Sequence, residues 1–350
     1  MAANAKRVFY FEHVQDPIYV SMLEERADVT VTRLEHSMPS EEKWSVVKQS
    51  HAYQIGSTRD ELPVEFQVND EFLSKVPNLL IVSTNGAGYD TVDVDACTRA
   101  GVIAVNQAGG NKEAVAEHVM ALVLALSKRI SETDRYMRRE NDIRRNEFIG
   151  NDILGKTIGI VGLGHVGGRV AEICRAAFNM RVLAYDPYLT ADQVTERGAE
   201  KVELEQLLAE SDYVSINCPR NAETVGMIGD KQFGAMKKTA YFVTTARGGI
   251  HDEEALYRAL KEKRIAGAGL DVWAKEPPPK DHPLMEFENV LVSPHTAGVT
   301  RESRRNIAII GAEQMAHIFD GYKPPRLLNP EAWPAYAERF KKAFGIAVKE

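Results

Sequence analysis

The sequence predicts an α/β protein of two doubly wound domains, each built on a parallel sheet. Three observations point there. The chain has 350 residues, more than the ~250–300 at which a single hydrophobic core stops growing. Short apolar, β-branched runs alternate with longer segments of helical period, the order in which helices connect parallel strands. The strand candidates also fall into two separate series.

The first series is residues 7–11, 29–33, 52–55, 79–83 and 102–105. The second is 157–161, 181–185, 213–217, 240–244, 266–270 and 290–293. Amphipathic segments such as 203–210 and 252–261 lie between strands. Gln107-Ala-Gly-Gly-Asn111 separates the two series. The segment that follows, from Lys112 to Ile130, is apolar on several faces, with Ala114, Val115, Val119, Met120, Leu122, Val123, Leu124 and Leu126. A helix apolar all round must be covered on more than one side, either between domains or against another subunit. A late helix, 300–319, is expected to end before Lys323-Pro-Pro-Arg326 and to return to the first domain. The basic residues Arg135, Arg138, Arg139, Arg144 and Arg145 are interleaved with acidic ones and read as a solvated face.

Composition narrows the function classes. Hydrophobic residues make up 44% and charged residues 27%, which excludes a disordered chain. There are 43 Lys and Arg against 50 Asp and Glu, a net charge of −7, so neither a general nucleic-acid nor an anionic-membrane footprint is expected. Cys97, Cys174 and Cys218 lie far apart and suit neither a disulfide framework nor a metal site. The segment from Met1 to Arg7 runs into only a short apolar stretch, unlike a signal sequence. The run 119–126 is far short of the ~20 residues that span a bilayer. The expectation is a soluble, cytoplasmic protein.

The strand Thr157-Ile-Gly-Ile-Val161 leads directly into Gly162-Leu-Gly164-His-Val-Gly167, and residues 168–178 continue with helical spacing. Such glycines permit a tight turn and let backbone approach a pyrophosphate, which then sits on the positive end of the helix. The next strand ends in Asp186, nineteen residues past Gly167. That is close to the ~20-residue offset of the acid that binds the ribose hydroxyls of NAD. The cofactor read from this pattern is NAD.

Three ionisable residues follow, each after a strand candidate. Residues 240–244 lead to Thr245-Ala-Arg247-Gly-Gly; 266–270 lead to Asp271 and on to Glu276-Pro; 290–293 lead to Pro294-His295-Thr-Ala-Gly298. Open parallel sheets bind ligands at that edge. Together the three form the set that hydride transfer to a carbonyl needs. A guanidinium grips a carboxylate bidentately, and a His exchanges a proton with the carbonyl oxygen. A carboxylate beside the His keeps its tautomer and favours the imidazolium.

With these motifs in place, the sequence resembles the D-isomer-specific 2-hydroxyacid dehydrogenases, whose members include D-lactate, glyoxylate/hydroxypyruvate and 3-phosphoglycerate enzymes. The likeness also covers Asn85-Gly-Ala-Gly-Tyr-Asp90 and Asn111-Lys-Glu-Ala-Val-Ala-Glu-His118. It implies two Rossmann-like domains: a substrate-binding one of residues 1–107 plus 306–350, built from both chain ends, and an NAD-binding one of residues 108–305. Arg247, Glu276 and His295 would be catalytic, with Arg247 and His295 touching the substrate. Backbone N–H groups of Asn85, Gly86, Ala87 and Gly88 would hold the substrate carboxylate. NAD would lie on Gly162, Gly164, His165, Val166, Gly167, Asp186, Cys218, Pro219, Thr224, Thr245, Ala246, Arg247, Asp271, His295, Ala297 and Gly298. The helix from Lys112 to Ile130 would lie in a homodimer interface, with His118 structural, and no metal is implied.

The resemblance departs from the commonest pattern at Thr244-Thr245 before Ala246-Arg247, and at Trp273 where Phe is usual. The Asn85 loop lacks the arginine found in phosphoglycerate enzymes, and the chain ends at Glu350 without their regulatory domain; phosphoglycerate is the less favoured substrate. Two other functions fit the same fold. One is an NAD-sensing co-regulator, which the complete Arg–Glu–His set argues against. The other is a formate- or phosphite-type dehydrogenase; the formate enzyme carries Gln at the position of Glu276. The expected activity is hydride exchange between NAD(H) and a small 2-oxo or D-2-hydroxy acid.

Overall fold

The computed structural model describes residues 5–57, 62–142 and 144–349. Among them, two all-parallel sheets form. The five-stranded sheet comprises β1 (Lys6–Phe11), β2 (Val29–Leu34), β3 (Ala52–Ile55), β4 (Ile81–Thr84) and β5 (Ile103–Val105), in the order β2-β1-β3-β4-β5. The seven-stranded sheet comprises β6 (Thr157–Val161), β7 (Arg181–Tyr185), β8 (Glu200–Lys201), β9 (Tyr213–Ile216), β10 (Tyr241–Thr244), β11 (Gly267–Leu270) and β12 (Val290–Val292). Its order is β12-β11-β10-β9-β6-β7-β8. Every expected strand is present within two residues of its expected ends. β8 was not expected: a two-residue Glu-Lys strand has no apolar run to announce it.

The chain divides into two compact units, residues 1–111 with 300–350, and residues 112–299. The expected limits lay a few residues away, at 107 and 306. The late helix, Arg301–Phe319, belongs whole to the first unit; Thr300 caps it by accepting from the Ser303 N–H at 3.1 Å.

Side chains that alternate along a strand fill two cores, one on each face. In the first unit Val8 and Ala52 pack with Met315, Phe319, Trp333, Tyr336 and Phe340. On the other face Phe9 and Tyr53 stack at 4.2 Å and join Phe66 and Phe72. In the second unit Ile160, Ala184 and Val243 face the helix Lys112–Ser127, while Val161, Leu183 and Phe242 face the opposite core.

Three helical expectations change. The helix begun at Lys112 stops at Ser127, and a second runs Ile130–Arg139. Arg129 between them is left-handed, with φ 53°, and its guanidinium pairs with Glu132 and reaches the Glu147 carbonyl. Seven of the eight apolar side chains expected to be covered either between domains or by another subunit, all but Leu124, are already buried within the chain. The helix Trp333–Phe344 was not foreseen, although its buried Trp333, Tyr336, Phe340 and Phe344 recur at helical spacing. The basic segment is paired on the surface, Arg138 with Asp134 and Arg139 with Glu288. No helix among the described residues is long and apolar enough to cross a membrane.

One core feature sets an acid limit. His251 is buried against Phe242, and neither ring nitrogen has a hydrogen-bond partner among the described residues. Burial, outweighing the nearby Glu253 and Asp252, pushes its pKa down to about 4. The unfolded chain, with an ordinary His near 6.5, takes up the proton first. Its stabilising contribution is therefore complete above pH 6.5 and is lost as pH falls from there toward 4. At pH 5 the loss from this group is on the order of 2 kcal/mol. Thermal unfolding should show a lower Tm at pH 5 than at pH 7, and His251→Leu should shrink that difference. An unchanged difference would exclude His251 as the cause.

Candidate active site

The seven-stranded sheet reverses its strand order beside β6, since β7 lies on one side and β9 on the other. That switch point opens a crevice at the carboxyl ends of the strands. Gly162 follows β6 there with φ 90°. A Cβ on it would come within 2.7 Å of the Cys218 backbone nitrogen, beyond β9. A Cβ on Gly167 would strike the Gly162 carbonyl at 2.1 Å, whereas one on Gly164 would meet nothing within 4 Å. Gly162 and Gly167 thus let the turn close, and Gly164 leaves the start of the helix His165–Phe178 uncovered. Burial pushes the adjacent Cys218 thiol up to about 11, keeping it neutral.

Asp186 lies directly after β7. Its carboxylate accepts from the Leu163 N–H at 3.0 Å and from the Tyr188 N–H at 3.1 Å. The acid is thereby fixed beside the glycine turn. This cradle, a bare helix N-terminus with a carboxylate beside it, fits the pyrophosphate and ribose of a dinucleotide. Arg197, which the sequence reading passed over, donates to the Leu163 carbonyl of the same turn. Thr224 is turned inward on its own loop, its hydroxyl donating to the Pro219 carbonyl at 2.7 Å.

The three chemical residues come together at the same edge. Nδ1 of His295 lies 2.7 Å from Oε2 of Glu276. A carboxylate only accepts, so Nδ1 carries the hydrogen and Nε2 is the nitrogen left to exchange a proton. The other Glu276 oxygen accepts from the Trp273 N–H at 3.1 Å. Burial alone would raise the Glu276 carboxyl. The hydrogen bond and charge of His295, the Trp273 N–H and the Arg247 guanidinium outweigh it and hold the carboxyl below its ordinary value. Arg247 follows β10, and its Nη1 donates to the Ala246 carbonyl at 2.7 Å.

Gly248 makes this assembly possible. A Cβ there would lie 1.7 Å from the Trp273 carbonyl oxygen, so the backbone beside Arg247 abuts the loop that carries Glu276. The sequence signal was the Arg247-Gly-Gly run, which carries no mark of the loop it abuts. Asp271, expected as a cofactor contact, is fully buried, and its carboxylate serves the loop itself. It accepts from the N–H groups of Thr296 at 2.8 Å and Ala297 at 2.9 Å. Its carbonyl accepts from the His295 N–H at 2.7 Å. His295 itself sits at φ 57°, a conformation that costs a non-glycine residue ~1–2 kcal/mol. No group of side chains among the described residues is arranged to hold a metal ion.

In the first unit, the Asn85 turn is held from within. The Asn85 N–H donates to the Ile55 carbonyl at 2.8 Å, and the Gly86 N–H donates to Gln107 Oε1 at 2.8 Å. The Asn85 side chain accepts from Gln54 at 2.7 Å. Of the four N–H groups expected to bind a carboxylate, two are thus engaged by the protein, leaving, among the described residues, those of Ala87 and Gly88.

Comparison with known proteins gives the family. Residues 120–297 match the family model described as "D-isomer specific 2-hydroxyacid dehydrogenase, NAD binding domain". A D-3-phosphoglycerate dehydrogenase of Archaeoglobus fulgidus is 42% identical over 75% of this chain and 50% of its own length. The chain therefore spans about half the length of that relative. A glyoxylate reductase of Korarchaeum cryptofilum is 42% identical over 75% of this chain and 80% of its own. Among solved structures, a D-lactate dehydrogenase from Aquifex aeolicus complexed with NAD and lactic acid is 27% identical. It covers 90% of this chain and 96% of that one, with a TM-score of 0.74. By the family model and these relatives, the chain belongs to the D-isomer specific 2-hydroxyacid dehydrogenase family.

Proposed function

We propose that this protein transfers hydride between NAD(H) and a small D-2-hydroxy acid or its 2-oxo acid. The observation that carries the reading is the 2.7 Å His295–Glu276 pair, with Arg247 beside it on the cofactor-facing edge of the sheet. When bound, the nicotinamide supplies or accepts the hydride. His295 Nε2 protonates the carbonyl oxygen as charge grows there, and Glu276 stabilises the imidazolium before the transfer. Arg247 grips the substrate carboxylate and polarises the carbonyl. The N–H groups of Ala87 and Gly88 are offered to an anionic group of the substrate. The residues 112–299 serve as the NAD-binding domain, and 1–111 with 300–350 as the substrate-binding domain.

The test is a panel of 2-oxo acids, glyoxylate included, assayed by NADH consumption. Turnover of none of them would overturn the reading. Arg247→Lys should raise KM and lower kcat together, since an ammonium reproduces neither the bidentate grip nor the planar contact. A Lys variant of wild-type efficiency would remove Arg247 from this role.

A homodimer remains part of the proposal, on altered grounds. Support comes from the exposed apolar side chains Ile130, Met137, Ile149 and Leu154, between 55% and 75% exposed, at and just beyond the end of the helix from Lys112. Sedimentation at micromolar concentration should show a dimer; a stable monomer would refute it.

A further inference from the structure

The loop that carries His295 is anchored to the helix Lys112–Ser127 by side chains that the reaction itself does not use. Asp271 holds three consecutive residues of that loop through its carbonyl and both carboxylate oxygens, at 2.7, 2.8 and 2.9 Å. Oδ1 also accepts from the Ser293 hydroxyl at 2.6 Å. A hydroxyl has one proton to donate, and Ser293 gives it to Asp271. Nε2 of His118, 3.0 Å from the Ser293 hydroxyl oxygen, must therefore carry a hydrogen and donate it to Ser293. His118 stands one turn before Leu122, whose side chain would lie 3.1 Å from a Cβ on Gly269. The helix thus seats directly on β11, which gives His118 a fixed base.

We propose that His118 is a positioning residue for the reaction: through Ser293 and Asp271 it fixes the loop at His295, so that Nε2 of His295 stays where the carbonyl oxygen must be protonated. The sequence had marked His118 as structural only. The inference rests on the hydride-transfer reading. A purely structural histidine would affect stability but not the placement of His295, and this difference is measurable. Misplacement of a catalytic group by ~1 Å costs on the order of 10²-fold in rate.

His118→Leu keeps bulk without the donor, and His118→Gln restores an N–H. Ser293→Ala removes only the hydroxyl between them. Each is compared with the wild-type protein in kcat and KM and in Tm, using the 2-oxo acid that the panel identifies. His118→Leu and Ser293→Ala should lower kcat about 10- to 100-fold, with KM for NADH within about twofold. His118→Gln should recover most of the loss. Independently of turnover, the His295 ring Cε1–H resonance in the free protein, assigned by its absence in His295→Ala, should shift in His118→Leu and return in His118→Gln. Wild-type kcat in His118→Leu with only a lowered Tm would overturn the proposal, as would a Gln variant no better than Leu. If His118→Leu does not fold, wild-type kcat in Ser293→Ala overturns it. His295→Ala is run alongside. Retained turnover there sinks the hydride-transfer reading itself, whereas its loss with a normal His118→Leu sinks the positioning role alone.

Discussion

Replacing His295 by alanine is expected to lower kcat for 2-oxo acid reduction by about 10²–10⁴-fold, the usual worth of a general acid, while NADH binding survives. In reduction, hydride reaches the carbonyl carbon as negative charge gathers on oxygen. Nε2 is the free proton-bearing nitrogen because Nδ1 is committed to Glu276 at 2.7 Å. Glu276→Gln separates the two functions of the pair. An amide still orients the ring but no longer favours the imidazolium, so the alkaline limb of the pH–rate profile for reduction should move to lower pH. Near-normal turnover in His295→Ala would remove the residue from the chemistry. An unmoved profile in Glu276→Gln would dissolve the pairing.

The second large effect concerns cofactor choice: kcat/KM with NADH should exceed that with NADPH by on the order of 10²-fold, the factor that ~3 kcal/mol gives. Two backbone N–H groups hold the Asp186 carboxylate beside the glycine turn. It can accept from both hydroxyls of an adenosine ribose, but a 2′-phosphate would bring like charges within a few ångströms. Pro187, Tyr188 and Leu189, the three residues after Asp186, include no cation. Arg197 changes that, since it already donates to the Leu163 carbonyl next to the N–H that Asp186 holds. Asp186→Ser should therefore narrow the gap even before Pro187→Arg is added, by removing repulsion and leaving a guanidinium close by. A wild-type preference for NADPH would show that Asp186 does not face the ribose.

The placement of the candidate site was legible in the sequence because Asp186, Arg247 and His295 each stand just past an apolar run, and parallel sheets place such residues on one edge. Thus Asp186, Arg247 and His295 could be read from β7, β10 and β12 before any coordinates. What escaped depends on partners distant in the chain. His118 and Ser293 are 175 residues apart, and the close approach of Gly248 to Trp273 leaves no periodic trace. The reading of the helix from Lys112 was incomplete for a related reason. Its apolarity was visible, but not that Met120, Leu122 and Val123 already face a core of their own unit. The loop contacts of Asp271 were likewise hidden, because a carboxylate after a strand does not show in the sequence which N–H groups it accepts from.

The split of the first unit governs when the protein can fold during synthesis. The second unit is an uninterrupted stretch, residues 112–299, and can close as soon as it leaves the ribosome. The five-stranded sheet is less fortunate. The buried side chains of the face built around Phe9, Tyr53 and Phe66 all come from residues 9–104, with Leu328 joining only at its margin, so it is nearly complete early. The other face, with Val8, Ala52, Ile81 and Ile103, waits for Met315, Phe319, Trp333, Tyr336 and Phe340. At ~5–20 residues per second, that apolar surface stays bare for on the order of tens of seconds while the intervening domain is made. The nascent chain is therefore most prone to aggregate, and most dependent on chaperones, on that one sheet face, and its vulnerability ends only when the last aromatic helix emerges.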